Sequence, residues 1–189
     1  MSTHHPNVLV VLTDQQRWDT TGVQGNPLDL TPTFDRMAHE GTHLANCFTC
    51  QPVCAPARSS LQTGLYATNT GVWRNGLAIP TDKLTLAHYF RQAGYTTGYI
   101  GKWHLGEPSS HGPVAAEQRG GYEYWLGSNL LEFTSDAYDV TMYDNDNRPV
   151  HLPGYRVDAV TDAAIRYLDA NRARRFYLFV SYLEPHHQN

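Results

Sequence analysis

Asn7-Val8-Leu9-Val10-Val11-Leu12-Thr13 is an unbroken β-branched and leucine-rich run, followed at once by Asp14-Gln15-Gln16. A strand that is apolar on both faces belongs in a parallel sheet covered by helices, so this stretch predicts an α/β fold. Polar residues placed directly after such a strand stand at the carboxyl edge, where open α/β sheets bind ligands. The arrangement returns twice. Tyr95 to Ile100 reads as a second buried strand with Gly101-Lys102-Trp103-His104-Leu105-Gly106 beyond its end, and Phe176 to Leu183 as a third ending on Glu184-Pro185-His186-His187.

Helical segments separate these strands. Thr31-Pro32 opens one whose apolar face is Phe34, Met37 and Ala38, closed by Gly41. Leu84 to Ala93, stopped by Gly94, is another. Residues 156–171 carry the stripe Val157, Val160, Ala164, Ile165 and Leu168. Thr42 to Thr49 reads as a further strand. Residues 107–155, rich in Gly, Pro, Ser, Asn and Asp, read as a long excursion over the sheet with a hairpin around Asp144 to Pro149.

The length of 189 residues is enough for one core and too short for two large domains. With a net charge of -4 and no basic run, nothing points to nucleic acid as a partner. Ten histidines direct attention to metal and oxyanion chemistry. The three cysteines Cys47, Cys50 and Cys54 are odd in number and crowded, which does not make a disulfide framework. Met1 to Asn7 has no positive leader region and Val8 to Leu12 is too short to span a membrane. A cytoplasmic chain is expected as given, or a periplasmic or secreted one where a leader has been removed.

The most chemically loaded stretch is Pro52-Val53-Cys54-Ala55-Pro56-Ala57-Arg58-Ser59-Ser60-Leu61-Gln62-Thr63-Gly64. Pro56 suits a first helical turn and Gly64 the position just past a helix end. Cys54 then stands at the helix N-terminus, whose free N–H groups favour an anion, either a thiolate or an anionic substrate. Arg58, one turn on, adds a permanent positive charge on the same face.

C-x-P-x-R followed by S-x-x-T-G, carried here by Cys54, Pro56, Arg58, Thr63 and Gly64, resembles the signature of the type I sulfatases. The resemblance implies an alkaline-phosphatase-like α/β sandwich, a mainly parallel central sheet flanked by helices, of which residues 1–189 form the N-terminal part. It also implies that a maturase oxidises Cys54 to Cα-formylglycine, whose hydrate attacks the sulfur of a sulfate monoester. Asp14 matches the family's metal-ligating acid after the first strand; Gln15 stands where many members carry a second acid. Asp14, Gln15 and the converted Cys54 would hold a divalent metal, expected to be Ca2+, with Mn2+ or Mg2+ as alternatives.

Lys102 and His104 match the family's G-K-W-H-L-G segment, in which the lysine contacts sulfate and the histidine bonds a formylglycine hydroxyl. His186 resembles the strand-end histidine that binds sulfate and protonates the leaving alcohol. His187 is the weaker candidate because side chains alternate along a strand. Trp73-Arg74-Asn75 offers a stacking plane and a fork to an anionic sugar, so Arg74, Asn75 and His187 are the expected substrate contacts. The implied partners are a sulfated small molecule or glycan, the maturase, and the remainder of the catalytic domain. The family's later Asp-Asn or Asp-His pair and second sulfate-binding lysine have no counterpart in this sequence.

Three other readings compete. A phosphonate monoester or phosphodiester hydrolase shares the implied fold and nucleophile. Cys47, Cys50 and Cys54 with His43 would instead make a zinc or iron–sulfur knuckle in a binding module. A cysteine phosphatase loop needs its arginine at the sixth position after the cysteine, and Arg58 is at the fourth.

Overall fold

The computed structural model describes residues 5–187; the leader reading at Met1 to His4 lies outside them. Six strands form one sheet: β1 (Val8–Leu12), β2 (Thr96–Lys102), β3 (Tyr124–Ser128), β4 (Val140–Tyr143), β5 (Pro149–Leu152) and β6 (Phe176–Ser181). The strand order is β1-β6-β2-β3-β4-β5. The first four in that order are parallel, and β4 and β5 continue as an antiparallel hairpin. Six helices accompany them: α1 (Pro32–Glu40), α2 (Cys54–Thr63), α3 (Ala67–Thr70), α4 (Leu86–Gln92), α5 (Leu131–Thr134) and α6 (Arg156–Ala170).

Successive side chains of a strand point to opposite faces, and the two cores show it. Leu178 and Val180 of β6 pack with Ile100, Leu126 and Val160 on the α6 side. Tyr177 and Phe179, their alternates, pack with Tyr99, Trp103 and Trp125 on the side of α2 and α4. Both faces of the central strands are thus filled, which is why β6 reads as a near-continuous apolar run and β2 is buried from Thr97 to Lys102.

β1 departs from the sequence reading. Leu9 and Val11 are 47% and 59% exposed, while Val8, Val10 and Leu12 join the α2-side core. Among the described residues β1 pairs only with β6 at the edge of the sheet, and its Leu9 and Val11 join neither core. Thr42 to Thr49 is irregular and mostly exposed rather than a strand. The excursion at 107–155 contains β3, α5 and the β4–β5 hairpin; only the hairpin was legible, because β3, Tyr-Trp-Leu-Gly-Ser, is short and without alternation. β2 runs to Lys102, two residues beyond the sequence reading, so Gly101 and Lys102 lie within the strand.

Inserting β6 between β1 and β2 positions the site. The register sets Leu12, Ser181 and Gly101 level across three neighbouring strands. Whatever follows each of them therefore meets at one carboxyl edge. The turn after β6 is anchored there by the Asp14 N–H, which donates to the Glu184 carbonyl at 3.2 Å. The Glu184 carboxylate in turn accepts from Arg156 Nε at 2.7 Å at the start of α6.

Candidate active site

α2 delivers Cys54. Its first residue is Cys54 itself, and it ends at Gly64, whose φ of 72° lets its N–H reach the Ser60 carbonyl at 2.8 Å. At the other end the Ala55 N–H donates to Asn75 Oδ1 at 2.9 Å. Asn75, expected against substrate, thus acts as a long-range cap on the helix that carries the cysteine. Asn75→Ala should lower stability by about 1 kcal/mol, as the loss of a capping oxygen does, seen as a reduced denaturation midpoint at unchanged slope. Arg74 lies over the ring of Trp73 at 5.2 Å. Neither Arg74 nor Asn75 lines the cleft into which Cys54 opens.

That cleft has a volume of about 1100 Å³ and is bounded by the β1 end, α2 and the turn after β6, with Asp14, Gln15, Cys54, Arg58, His186 and His187 in its wall. Cys54 Sγ stands 3.7 Å from Asp14 Oδ1. Asp14 Oδ2 pairs with Lys102 Nζ at 2.8 Å and Arg58 Nη2 at 3.4 Å, all three side chains being buried. Arg58 Nη1 donates both to the Lys102 carbonyl at 2.8 Å and to Ser181 Oγ at 2.7 Å, tying β2 and β6 together. Lys102 Nζ also donates to Glu132 Oε1 of α5 at 2.9 Å.

The electrostatics follow from burial and these pairs. Burial works to raise the Asp14 carboxyl, but Arg58 and Lys102 together outweigh it and hold the group below its ordinary value. Burial pushes the Cys54 thiol up, and Asp14 and Glu132 add to this against Lys102 and Arg58. The expectation of a thiolate at a helix N-terminus is therefore corrected: two nearby carboxylates and desolvation leave the thiol protonated. Burial, with Lys102 and Arg58, also lowers His104, whose ring is neutral at pH 7. His104 follows β2 in a left-handed conformation, φ 60°, with its N–H bonded to the Asn129 carbonyl at 2.7 Å.

His186 is buried and its Nδ1 has no partner. Its ring stacks on that of His187 at 4.4 Å, and His187 Nδ1 faces Gln15 Oε1 at 3.3 Å. The alternation argument against His187 fails because residues 184–187 form a turn and not a strand. One side-chain oxygen or sulfur of Asp14 and Cys54 and one ring nitrogen of His186 lie within 4.8 Å of one another. Cys47 and Cys50 are exposed, and His43 faces Gln24. Among the described residues Cys47, Cys50, Cys54 and His43 do not gather into a metal knuckle.

The sheet edge thus brings Asp14, Cys54, Arg58 and His186 together around one opening, with Lys102 buried behind Asp14 and, like His104, outside the cleft lining. The model of the sulfatase family matches residues 6–189. The chain belongs to the sulfatase family. It is 38% identical over 184 residues to the ulvan-active sulfatase of Formosa agariphila, covering 96% of this chain and 35% of that protein. A protein solved in complex with its substrate D-glucosamine-2-N,6-O-disulfate superposes with a TM-score of 0.84 at 27% identity, over 97% of this chain and 35% of that one. The phosphonate monoester hydrolase of Agrobacterium radiobacter, at 21% identity and a TM-score of 0.67 over 96% of this chain and 41% of its own, shares the fold alone. This sulfatase chain spans about a third of the length of such relatives, and its α/β sheet is the alkaline-phosphatase-like one expected.

Two buried groups at this sulfatase site escaped the sequence reading. Ser181, which holds Arg58, lies inside an apolar strand and was legible as its one polar residue near the end. Glu132 had no signal, since it sits in the excursion whose path only the tertiary structure fixes.

Proposed function

We propose that this chain carries the nucleophile half of a sulfuric ester hydrolase acting on a carbohydrate sulfate, with Cys54 converted to Cα-formylglycine. The observation behind it is the meeting of Cys54 with Asp14, Arg58, Lys102 and an unpartnered His186 at one sheet edge. A protonated, half-buried thiol next to a carboxylate is a poor nucleophile. An aldehyde hydrate in its place offers one hydroxyl for attack on sulfur and a second whose deprotonation expels sulfate afterwards. Arg58 and Lys102 bear the two fixed positive charges available to the sulfate oxygens. His104, neutral, is suited to hold a hydrate hydroxyl, and His186 to give a proton to the leaving alcohol. The ulvan-active relative and the glucosamine disulfate complex support a sulfated glycan, with His187 and Gln15 at the rim of the cleft.

The donor set also fits a divalent metal after conversion. Asp14, a thiol and an imidazole are zinc-type donors, whereas replacing sulfur by the hydrate oxygen moves the set toward the hard oxygens that Ca2+, Mg2+ and Mn2+ prefer. Asp14, Gln15 and the converted Cys54 would hold the ion, with further ligands from the rest of the catalytic domain, and the ion would neutralise sulfate oxygens as a Lewis acid. Chelation of the matured protein should lower sulfate-ester turnover by at least about 100-fold, with recovery on adding back Ca2+; activity unaffected by exhaustive chelation would count against a metal.

The deciding measurement is mass spectrometry of the Cys54 peptide after co-expression with a formylglycine-generating maturase, alongside a panel of sulfate and phosphonate esters. A peptide about 18 Da lighter, sulfur and two hydrogens having been exchanged for one oxygen as the thiol becomes an aldehyde, together with sulfate turnover, is expected. Full activity with an intact thiol, or preference for phosphonate esters, would overturn the reading.

A further inference from the structure

Lys102 poses a problem that Asp14 alone does not solve. Its ammonium group is fully buried, with a side-chain exposure of 0%, and lies between two carboxylates, Asp14 at 2.8 Å and Glu132 at 2.9 Å. Asp14 is already shared with Arg58 and faces Cys54 and His186 across the cleft. When Asp14 turns to a divalent cation, its charge is no longer free for Lys102. A buried ammonium with no counter-ion is costly enough to leave its place. Glu132 is the other carboxylate in contact with it. It comes from α5, beyond β3, and does not belong to the cluster of Asp14, Cys54 and His186.

The surroundings of Glu132 suit a fixed counter-ion rather than a ligand. Its side chain is 5% exposed, and only Oε1 is used by Lys102. Oε2 is buried with no hydrogen-bond partner, as is Nδ1 of His104 nearby, and the two residues act on each other electrostatically. The four buried groups Asp14, Glu132, Arg58 and Lys102 carry two negative and two positive charges, so Glu132 completes a neutral set.

Resting on the sulfatase reading above, we infer that Glu132 is a positioning residue: through its 2.9 Å contact it holds the Lys102 ammonium group in place toward the sulfate ester once Asp14 is engaged elsewhere. Its action runs through Lys102 and not through contact with substrate. The test is a double-mutant cycle in the complete, matured protein, comparing wild type, Glu132→Gln, Lys102→Met and the double variant. Glu132→Gln should lower kcat by about 100-fold, the scale of losing one preorganised electrostatic contact, and the double variant should be no slower than Lys102→Met. A second readout needs no turnover: stabilisation of the protein against heat by inorganic sulfate should shrink equally in both single variants and no further in the double.

A wild type that hydrolyses no sulfate ester defeats the sulfatase reading itself. An active wild type with Glu132→Gln within twofold of it, or with losses that multiply in the double variant, defeats only the role given to Glu132. Should Glu132→Gln fail to fold, Glu132→Asp enters the same cycle, its shorter carboxylate expected to retain part of the kcat that Gln would lose; a Glu132→Asp within twofold of wild type, or one whose loss multiplies with that of Lys102→Met, again refutes it.

Discussion

Cys54→Ala should leave a folded protein with essentially no sulfate-ester hydrolysis, a loss of at least about 10⁴-fold in kcat, as when a covalent nucleophile is removed. The fold survives because alanine is a good residue in the first turn of α2 and the thiol makes only a 3.7 Å contact to Asp14. On the proposed mechanism the activity does not, because an alanine cannot be converted to an aldehyde hydrate. Arg58 and Lys102 remain in place in this variant, so binding of inorganic sulfate, followed by thermal shift, should persist. Turnover within tenfold of wild type would show that chemistry proceeds through some other group. Loss of both turnover and sulfate binding would show instead that Cys54 supports the architecture of the site.

Gly101→Ala should be the most damaging single-methyl change. Gly101 sits within β2, between β6 and β3, at a φ of 109° that L side chains rarely adopt. A Cβ there would overlap the Ser181 carbonyl oxygen and approach its carbonyl carbon to 2.8 Å. Both obstacles are backbone on the neighbouring strand, which cannot rotate away as a side chain can. Relief requires β2 and β6 to part at the level that carries Lys102 and Ser181. The expected cost exceeds about 4 kcal/mol, the range reserved for severe steric or backbone defects, and against a typical total of about 5–15 kcal/mol this leaves little folded protein. Gly64→Ala is the control: its φ is 72°, yet nothing lies within 4 Å of the added Cβ, so about 1 kcal/mol is expected. Urea denaturation followed by circular dichroism separates the two. Equal losses for both variants would refute the steric argument.

Other parts of the site depended on where strands sit rather than on what they contain. Asp14, Lys102 and His186 each follow or end an apolar run, so their presence at a carboxyl edge was readable from hydrophobic pattern alone. That they share one edge, with Asp14 paired to Lys102 and within 4.8 Å of a His186 ring nitrogen, depends on β6 being inserted between β1 and β2, a choice among long-range pairings that local pattern does not encode. The same insertion turned Ser181 into a clamp for Arg58 and left β1 at a sheet edge with Leu9 and Val11 exposed. The sequence expectation for β1, buried on both faces, assumed neighbours that the described residues do not provide.

What the sequence determined by itself is the local chemistry: a helix opened by Cys54 and closed by Gly64, an arginine one turn along, and buried strands that end in Asp, Lys and His. Those follow from short-range rules of capping, propensity and alternation. Only the tertiary structure decided the protonation and the company of these groups. Burial and the carboxylates of Asp14 and Glu132 keep Cys54 a thiol where a helix N-terminus alone favours a thiolate, and Asn75 reaches back across 20 residues to cap α2. Desolvation and charge pairing depend on which groups the fold brings within a few ångströms, and that distance is set by the packing of the whole sheet.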